Sequence, residues 1–208
     1  MKAHSPLTFD SLESLEPPMI IGLTGGMGSG KSTAARLFEI QGFQRIDCDE
    51  IGHDLLSEDE DVKRLIKEAF GSDAFNREGE VDRRALGGIV FESDDELSKL
   101  EAILHPGIRD AWLARVASDQ YGRWVVEIPL LFEKNLQNRV DFTVCVFSDL
   151  STQVKRLQLK GIDRDQALAR IKKQMPVSEK AKIADYVLLN EGSLEFLDEQ
   201  IKTLLTRI

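Results

Sequence analysis

TGGMGSGKST (residues 24–33) decides how this chain is read. It follows the apolar run MIIGL and precedes AARLFEIQGF, so it joins a strand pattern to a helix pattern. Four glycines within six residues, then Lys31, Ser32 and Thr33, fit G-x-x-x-x-G-K-[ST] in the setting that motif requires. Glycines let successive backbone N–H groups turn toward phosphate oxygens, and the following helix aims its positive end at the same anion. Lys31 supplies a point charge between the β- and γ-phosphates, and Ser32 supplies a hydroxyl to Mg²⁺. The expectation is therefore a nucleoside triphosphate with Mg²⁺, held by Gly26, Gly28, Ser29, Gly30, Lys31, Ser32 and Thr33, with Ser32 as metal ligand.

Working outward, five apolar runs read as buried strands: residues 19–24, 43–47, 123–132, 141–147 and 185–190. They are continuous more than alternating, which suits a parallel sheet covered on both faces. Helical patterns lie between them, giving an α/β fold with right-handed crossovers. One helix is expected over residues 31–41, stopped by Gly42 at the position where left-handed backbone is needed. Another begins at Ser93, where SDDE spells a capping box. Residues 51–121 carry only helical pattern and read as an insertion. A basic helical stretch, residues 152–181, also lies outside the sheet. The core is then residues 19–50, 122–150 and 183–208.

The chain has 208 residues and a formal net charge of −9, which argues against a broad nucleic-acid or anionic-membrane surface. Anionic ligands must instead meet a few placed cations. No apolar run reaches the length of a membrane span. Residues 1–18 are acidic, end in Pro-Pro and lack an apolar h-region, so they read as a disordered extension, not a secretory signal. Cys48 and Cys145 show neither CxxC nor metal-ligand spacing, and a reduced pair in the cytoplasm is the default reading.

The loop alone does not choose among kinase, ATPase and GTPase. No N-K-x-D sequence for guanine recognition occurs in the chain. In RIDCDEIG, Asp47 and Asp49 fall at the C-terminal end of the second strand, the end that faces the ligand crevice in a doubly wound sheet. A carboxylate there is placed to accept a proton from an attacking hydroxyl, although Asp49 also has the character of a helix N-cap. In QVKRL, Arg156 lies within the basic stretch.

GLTGGMGSGKST, IDCDEIGHDLL, DRRALGGIVF, LEAILHPGIR, EIPLLFE and ADYVLLNEGS, in that order, resemble the dephospho-CoA kinase family from residue 19 to about 205. The resemblance implies a P-loop kinase fold with a nucleotide core, a helical part that binds the CoA moiety, and a lid at residues 152–181. It implies the substrates ATP and dephospho-CoA, the ribose 3′-hydroxyl as acceptor, and cytoplasmic CoA synthesis. By position it makes Asp49 the general base and Arg156 a contact to the nucleotide phosphates, beside Lys31. Asn190 and Gly192 fall near the adenine. Where the family carries a second arginine followed by Asp, this chain has Lys160 and Gly161, and lysine lacks the bidentate fork. Pro106 is expected to break or kink its helix, with His105 more structural than substrate-contacting. Of two acidic residues in EIPLLFE, Glu133 is the better placed to approach the site; either it or Glu127 is also a candidate partner for a lid arginine. Shikimate kinase is the nearest enzymatic rival, and a catalytically silent nucleotide-binding module the rival of another class.

Overall fold

The structure is a computed structural model that describes residues 19–208 apart from residue 120, with backbone only at Phe91 and Glu92. The reading of residues 1–18 as a disordered extension lies outside the described residues. Five strands, β1 (Met19–Gly25), β2 (Gln44–Asp47), β3 (Arg123–Glu127), β4 (Phe142–Phe147) and β5 (Tyr186–Leu189), form one sheet in the order β2-β3-β1-β4-β5. Every neighbouring pair is parallel, as their continuous apolar runs imply. β1 is central, so the loop that follows it emerges between the ends of β3 and β4.

Alternation along β3 sorts the two faces. Val125 joins Ile21, Leu23 and Val144 beneath α1 (Lys31–Ile40) and α9 (Leu194–Leu205), which contribute Phe38, Leu197 and Ile201. Trp124 and Val126 face the other way, toward Ile46, Leu131 and the fully buried Trp112. Each such side chain contributes roughly 1.5–3 kcal/mol by leaving water. The free edge of β5 is closed at one point by a side chain: Gln200 on α9 accepts from Leu189 N and donates to Leu189 O, both at 2.9 Å. That removes a pairing site from an exposed edge.

Between β2 and β3 lie α2 (Cys48–Glu58), α3 (Glu60–Phe70), α4 (Arg83–Glu92) and α5 (Asp94–Ala117), with no named strand among the described residues. They enclose a separate apolar cluster of Leu56, Val62, Ile66, Ala74, Leu86 and Val90. Ser93 caps α5 as its sequence announces, accepting from Glu96 N. The expected break at Pro106 does not occur: α5 runs through it. Proline costs a helix interior about 3 kcal/mol, and packing on both sides holds the helix together. Before Pro106, Leu97, Leu100 and Leu104 pack on the insertion cluster; after it, Ile108 and Trp112 pack on the sheet cluster. Glycines let α2 and α5 approach closely there. A Cβ on Gly107 would meet Leu55 Cδ1 at 3.0 Å, and one on Gly52 would meet Ile108 Cδ1 at 3.2 Å.

The third strand also differs from its sequence reading. It ends at Glu127, not at residue 132, because Ile128 N makes the last ladder bond, to Leu23 O, and Pro129 has no N–H to continue. A turn follows, with Asn135 in left-handed backbone at φ 53°. After β4 come α6 (Leu150–Leu159), α7 (Arg164–Lys172) and α8 (Val177–Ile183). The first two pack on each other through Val154, Leu157 and Ala167, and Met27 of the glycine loop joins that cluster. Among the described residues no helix is long and apolar enough to cross a membrane.

Candidate active site

The glycine loop curls tightly because three of its glycines, Gly25, Gly28 and Gly30, adopt backbone that side chains resist. Gly28 has φ 79° and Gly30 φ 97°. Neither has room for a Cβ: one on Gly28 would meet Gln153 O at 2.7 Å, and one on Gly30 would run into Asn190 Nδ2. Lys31 opens α1 and folds back over its own loop, donating to Gly25 O at 3.3 Å and Gly26 O at 3.4 Å. Burial pushes its ammonium pKa down, while Asp49 opposes the shift.

The outer carbonyls of the loop are fastened from three directions. Arg156 Nη1 donates to Ser29 O at 3.0 Å, Gly28 O at 3.3 Å and Ser148 Oγ at 2.9 Å. Its Nη2 donates to Asn190 O at 2.7 Å, and Asn190 Nδ2 donates to Ser29 O at 2.8 Å. Thus α6 and the segments after β4 and β5 lock the carbonyls outward. This arrangement needs no ligand, and it gives Arg156 and Asn190 a bracing task that sequence reasoning did not foresee.

A cavity of about 710 Å³ opens in front of the loop. Gly28, Gly30, Lys31, Ser32, Thr33, Asp49, Arg156 and Asn190 line it, together with Glu127, Pro129 and Lys160. Two expected nucleotide contacts are not on its wall. Ser29 is fully buried, with its N–H bonded to Gly26 O and its carbonyl to the braces. Gly26 lines an adjoining apolar cavity of about 630 Å³ between the loop and α6–α8.

The acidic side of the site divides its labour. Asp47 ends β2 and caps α2, accepting from Asp49 N at 2.9 Å and Glu50 N at 3.3 Å. Its other oxygen pairs with Arg45 Nη2 at 2.8 Å. The N-cap is therefore Asp47, and Asp49 sits in the first helical turn with its carboxylate free of that duty. Burial raises the Asp49 pKa, Lys31 opposes this, and Asp47 adds to it. Asp49 lines the 710 Å³ cavity and two more on the insertion side, of about 180 and 420 Å³.

The preference for Glu133 over Glu127 is overturned. Glu127, almost fully buried at the end of β3, accepts from Ser32 Oγ at 2.9 Å and pairs with Arg45 Nε at 2.6 Å. Burial raises its pKa, and the Arg45 hydrogen bond opposes that. Its arginine partner comes from β2, not from residues 152–181. Glu133 is drawn instead to Lys180. Arg45 was missed altogether, yet a signal existed: residues 45 and 47 share one face of a strand, so an arginine two before an acidic crevice residue aims at the same place. His105 lines both insertion-side cavities, with its pKa lowered by burial. His53 Nε2 accepts from Arg83 Nη2 at 2.7 Å at the wall of the larger one.

Among the described residues no group of three or more His, Cys, Asp or Glu side chains forms a metal cage. The Ser32 hydroxyl beside the Glu127 carboxylate fits Mg²⁺ nonetheless, because that ion keeps several waters and takes only one or two protein oxygens beside substrate phosphates.

A parallel sheet in this order, a braced P-loop after its central strand and a carboxylate across the phosphate cavity define a P-loop kinase acting on a small molecule. Comparison with known proteins narrows the class. The sequence profile described as dephospho-CoA kinase matches residues 19–195. A dephospho-CoA kinase from Carboxydothermus hydrogenoformans is 40% identical over 192 residues, covering 90% of this chain and 93% of that one. A crystal structure from Thermus thermophilus superposes with a TM-score of 0.79 at 36% identity, covering 93% of this chain and 99% of that one. Shikimate kinase from Acinetobacter baumannii, at 14% identity and a TM-score of 0.53 over 94% and 97% of the two chains, shares the fold alone. The chain belongs to the dephospho-CoA kinase family.

Proposed function

We propose that this enzyme transfers the γ-phosphoryl group of ATP to the ribose 3′-hydroxyl of dephospho-CoA, giving coenzyme A and ADP, the last step of CoA synthesis. The observation that carries the reading is the position of Asp49, on the shared wall of the nucleotide cavity and both insertion-side cavities. An acceptor in the insertion, α2–α5, thereby meets the carboxylate that faces the phosphates.

The triphosphate lies along Gly28, Gly30, Lys31, Ser32 and Thr33, with its adenine toward Asn190. Ser32 and Glu127 would hold Mg²⁺ beside the nucleotide, and the ion when bound would supply positive charge against the phosphates. Asp49 accepts the proton of the 3′-hydroxyl as that oxygen bonds to phosphorus and the bond to ADP breaks. Its raised pKa brings it closer to the working pH as a base. Lys31 and Arg156 stabilise charge on the moving group, Arg156 also holding the loop in shape. Residues 152–181 close over the nucleotide and exclude water. A cytoplasmic setting accords with Cys48 and Cys145, both buried and unpaired.

Mass-resolved product analysis with ATP·Mg²⁺ and parallel acceptors tests the assignment. One phosphoryl group gained by dephospho-CoA at the 3′ position, and none by shikimate or AMP, is the expected result. Transfer to another acceptor instead would leave the nucleotide site standing and remove the acceptor assignment.

A further inference from the structure

Lys180, on α8, is fully buried and lies outside every role assigned above. Its ammonium donates to Pro129 O at 2.5 Å and pairs with Glu133 Oε1 at 2.9 Å. The same Glu133 oxygen accepts from Met175 N at 3.0 Å, in the short segment that joins α7 to α8. Pro129 O also accepts from Thr24 Oγ1 at 3.2 Å, so the turn is tied to β1 one residue before the glycine loop. Pro129 in turn lines both the nucleotide cavity and the smaller insertion-side cavity. Gln174, next to Met175, also lines the nucleotide cavity. One ammonium therefore connects the partition between donor and acceptor cavities to the root of the residues that cover the nucleotide.

An apolar side chain of similar length would fill this space without the desolvation cost of a buried charge. Replacing buried ion pairs by apolar groups is often neutral or stabilising. A lysine here is thus poorly explained by stability alone. What it provides is direction: two acceptors in the turn after β3 are fixed to one point on α8. Its charge also reaches the phosphate site, where it acts on Lys31.

We infer that Lys180 is a positioning residue for phosphoryl transfer, which through Pro129 and Glu133 sets the cavity partition and the α7–α8 hinge in one register. The inference rests on the kinase reading, and transfer by the parent enzyme is established first, so failure of that reading appears there and not in the variants. The proteins compared are the parent, Lys180→Met, and the double variant Lys180→Met/Glu133→Gln. The double variant removes both charges and leaves no buried carboxylate without its cation. Steady-state kinetics, melting temperature and the ratio of ADP to CoA formed are measured for each.

Misplacement of a reacting group by about 1 Å costs on the order of a hundredfold in rate. The expected result is a kcat lowered roughly ten- to a hundredfold in both variants, with KM for ATP changed less than about threefold. More ADP should form per CoA, because a loosened cover admits water. In the double variant the melting temperature returns toward the parent while kcat stays low. Recovery of kcat and product ratio together with stability would overturn the inference and leave the pair as a brace. A Lys180→Met enzyme with unchanged kcat would do the same. Should Lys180→Met not fold, the double variant carries the comparison by itself.

Discussion

The nucleotide end and the helical insertion of this molecule are held together by different physics. Around the glycine loop, directional bonds join segments far apart in sequence: Arg156 to Ser29, Asn190 to Ser29, Glu127 to Ser32. Many of these groups are buried or nearly so, and each unpaired partner would cost about 1–3 kcal/mol. The insertion instead surrounds an apolar cluster, and its ion pairs, such as Arg64 with Glu68, lie on the surface and contribute little. A site for phosphate must hold donors to fractions of an ångström, which hydrogen bonds do. A pocket for a larger acceptor needs shape and volume, which packing provides. Asp49 is the residue that belongs to both.

The sharpest way to break the contrast is at that junction. Asp49→Asn should lower transfer by about a thousandfold, within the range for loss of a general base. ATP affinity, read by calorimetry, should change little; an active variant would remove Asp49 from the chemistry. Next in size, Gly30→Ala should damage the nucleotide end alone. Strained backbone costs roughly 1–3 kcal/mol, and the added methyl must displace Asn190. A tenfold to hundredfold weaker ATP affinity is expected, with dephospho-CoA binding retained; equal weakening of both substrates would show the halves to be one unit. Leu86→Ala attacks the other side. Leu86 is buried in the insertion cluster and lines the 420 Å³ cavity, so a loss of about 3 kcal/mol in stability and a raised KM for dephospho-CoA should come without loss of ATP affinity.

The smallest effect concerns pH. Burial raises the Asp49 pKa, so the folded protein holds that proton at pH values where the unfolded chain has released it. Its ionisation therefore removes stability as pH rises from the ordinary aspartate range through the raised value. Asp49→Asn should melt slightly above the parent at neutral pH, and the difference should vanish below the ordinary range. Its activity counterpart is an acidic limb of kcat/KM displaced upward from that range. A variant that melts lower than the parent at neutral pH would contradict the buried-carboxylate account.

Particular residues show how far the sequence could be read. Local signals survived where they concern backbone: Gly42 after α1, Ser93 at the start of α5, and the left-handed Gly28 and Gly30 all depend on geometry within a few positions. Pro106 does not break its helix, because the local penalty is real but two separate apolar clusters override it. Glu133 and Glu127 were ranked the wrong way round, since the rank depended on where β3 stops. Arg45 and Lys180 went unnoticed because their partners, Glu127 and Glu133, lie 82 and 47 residues away along the chain.

By itself, then, the sequence determined the parallel α/β core, the glycine loop after β1, the helical interval between β2 and β3 and the family to which the chain belongs. Each of these is written in short-range pattern: glycine spacing, apolar periodicity, caps. Only the tertiary structure decided that Arg156 and Asn190 brace the loop, that Glu127 stands beside Ser32, and that Asp49 borders three cavities. Those facts depend on which strand ends meet at the crevice, and parallel pairing brings together ends that are distant in sequence.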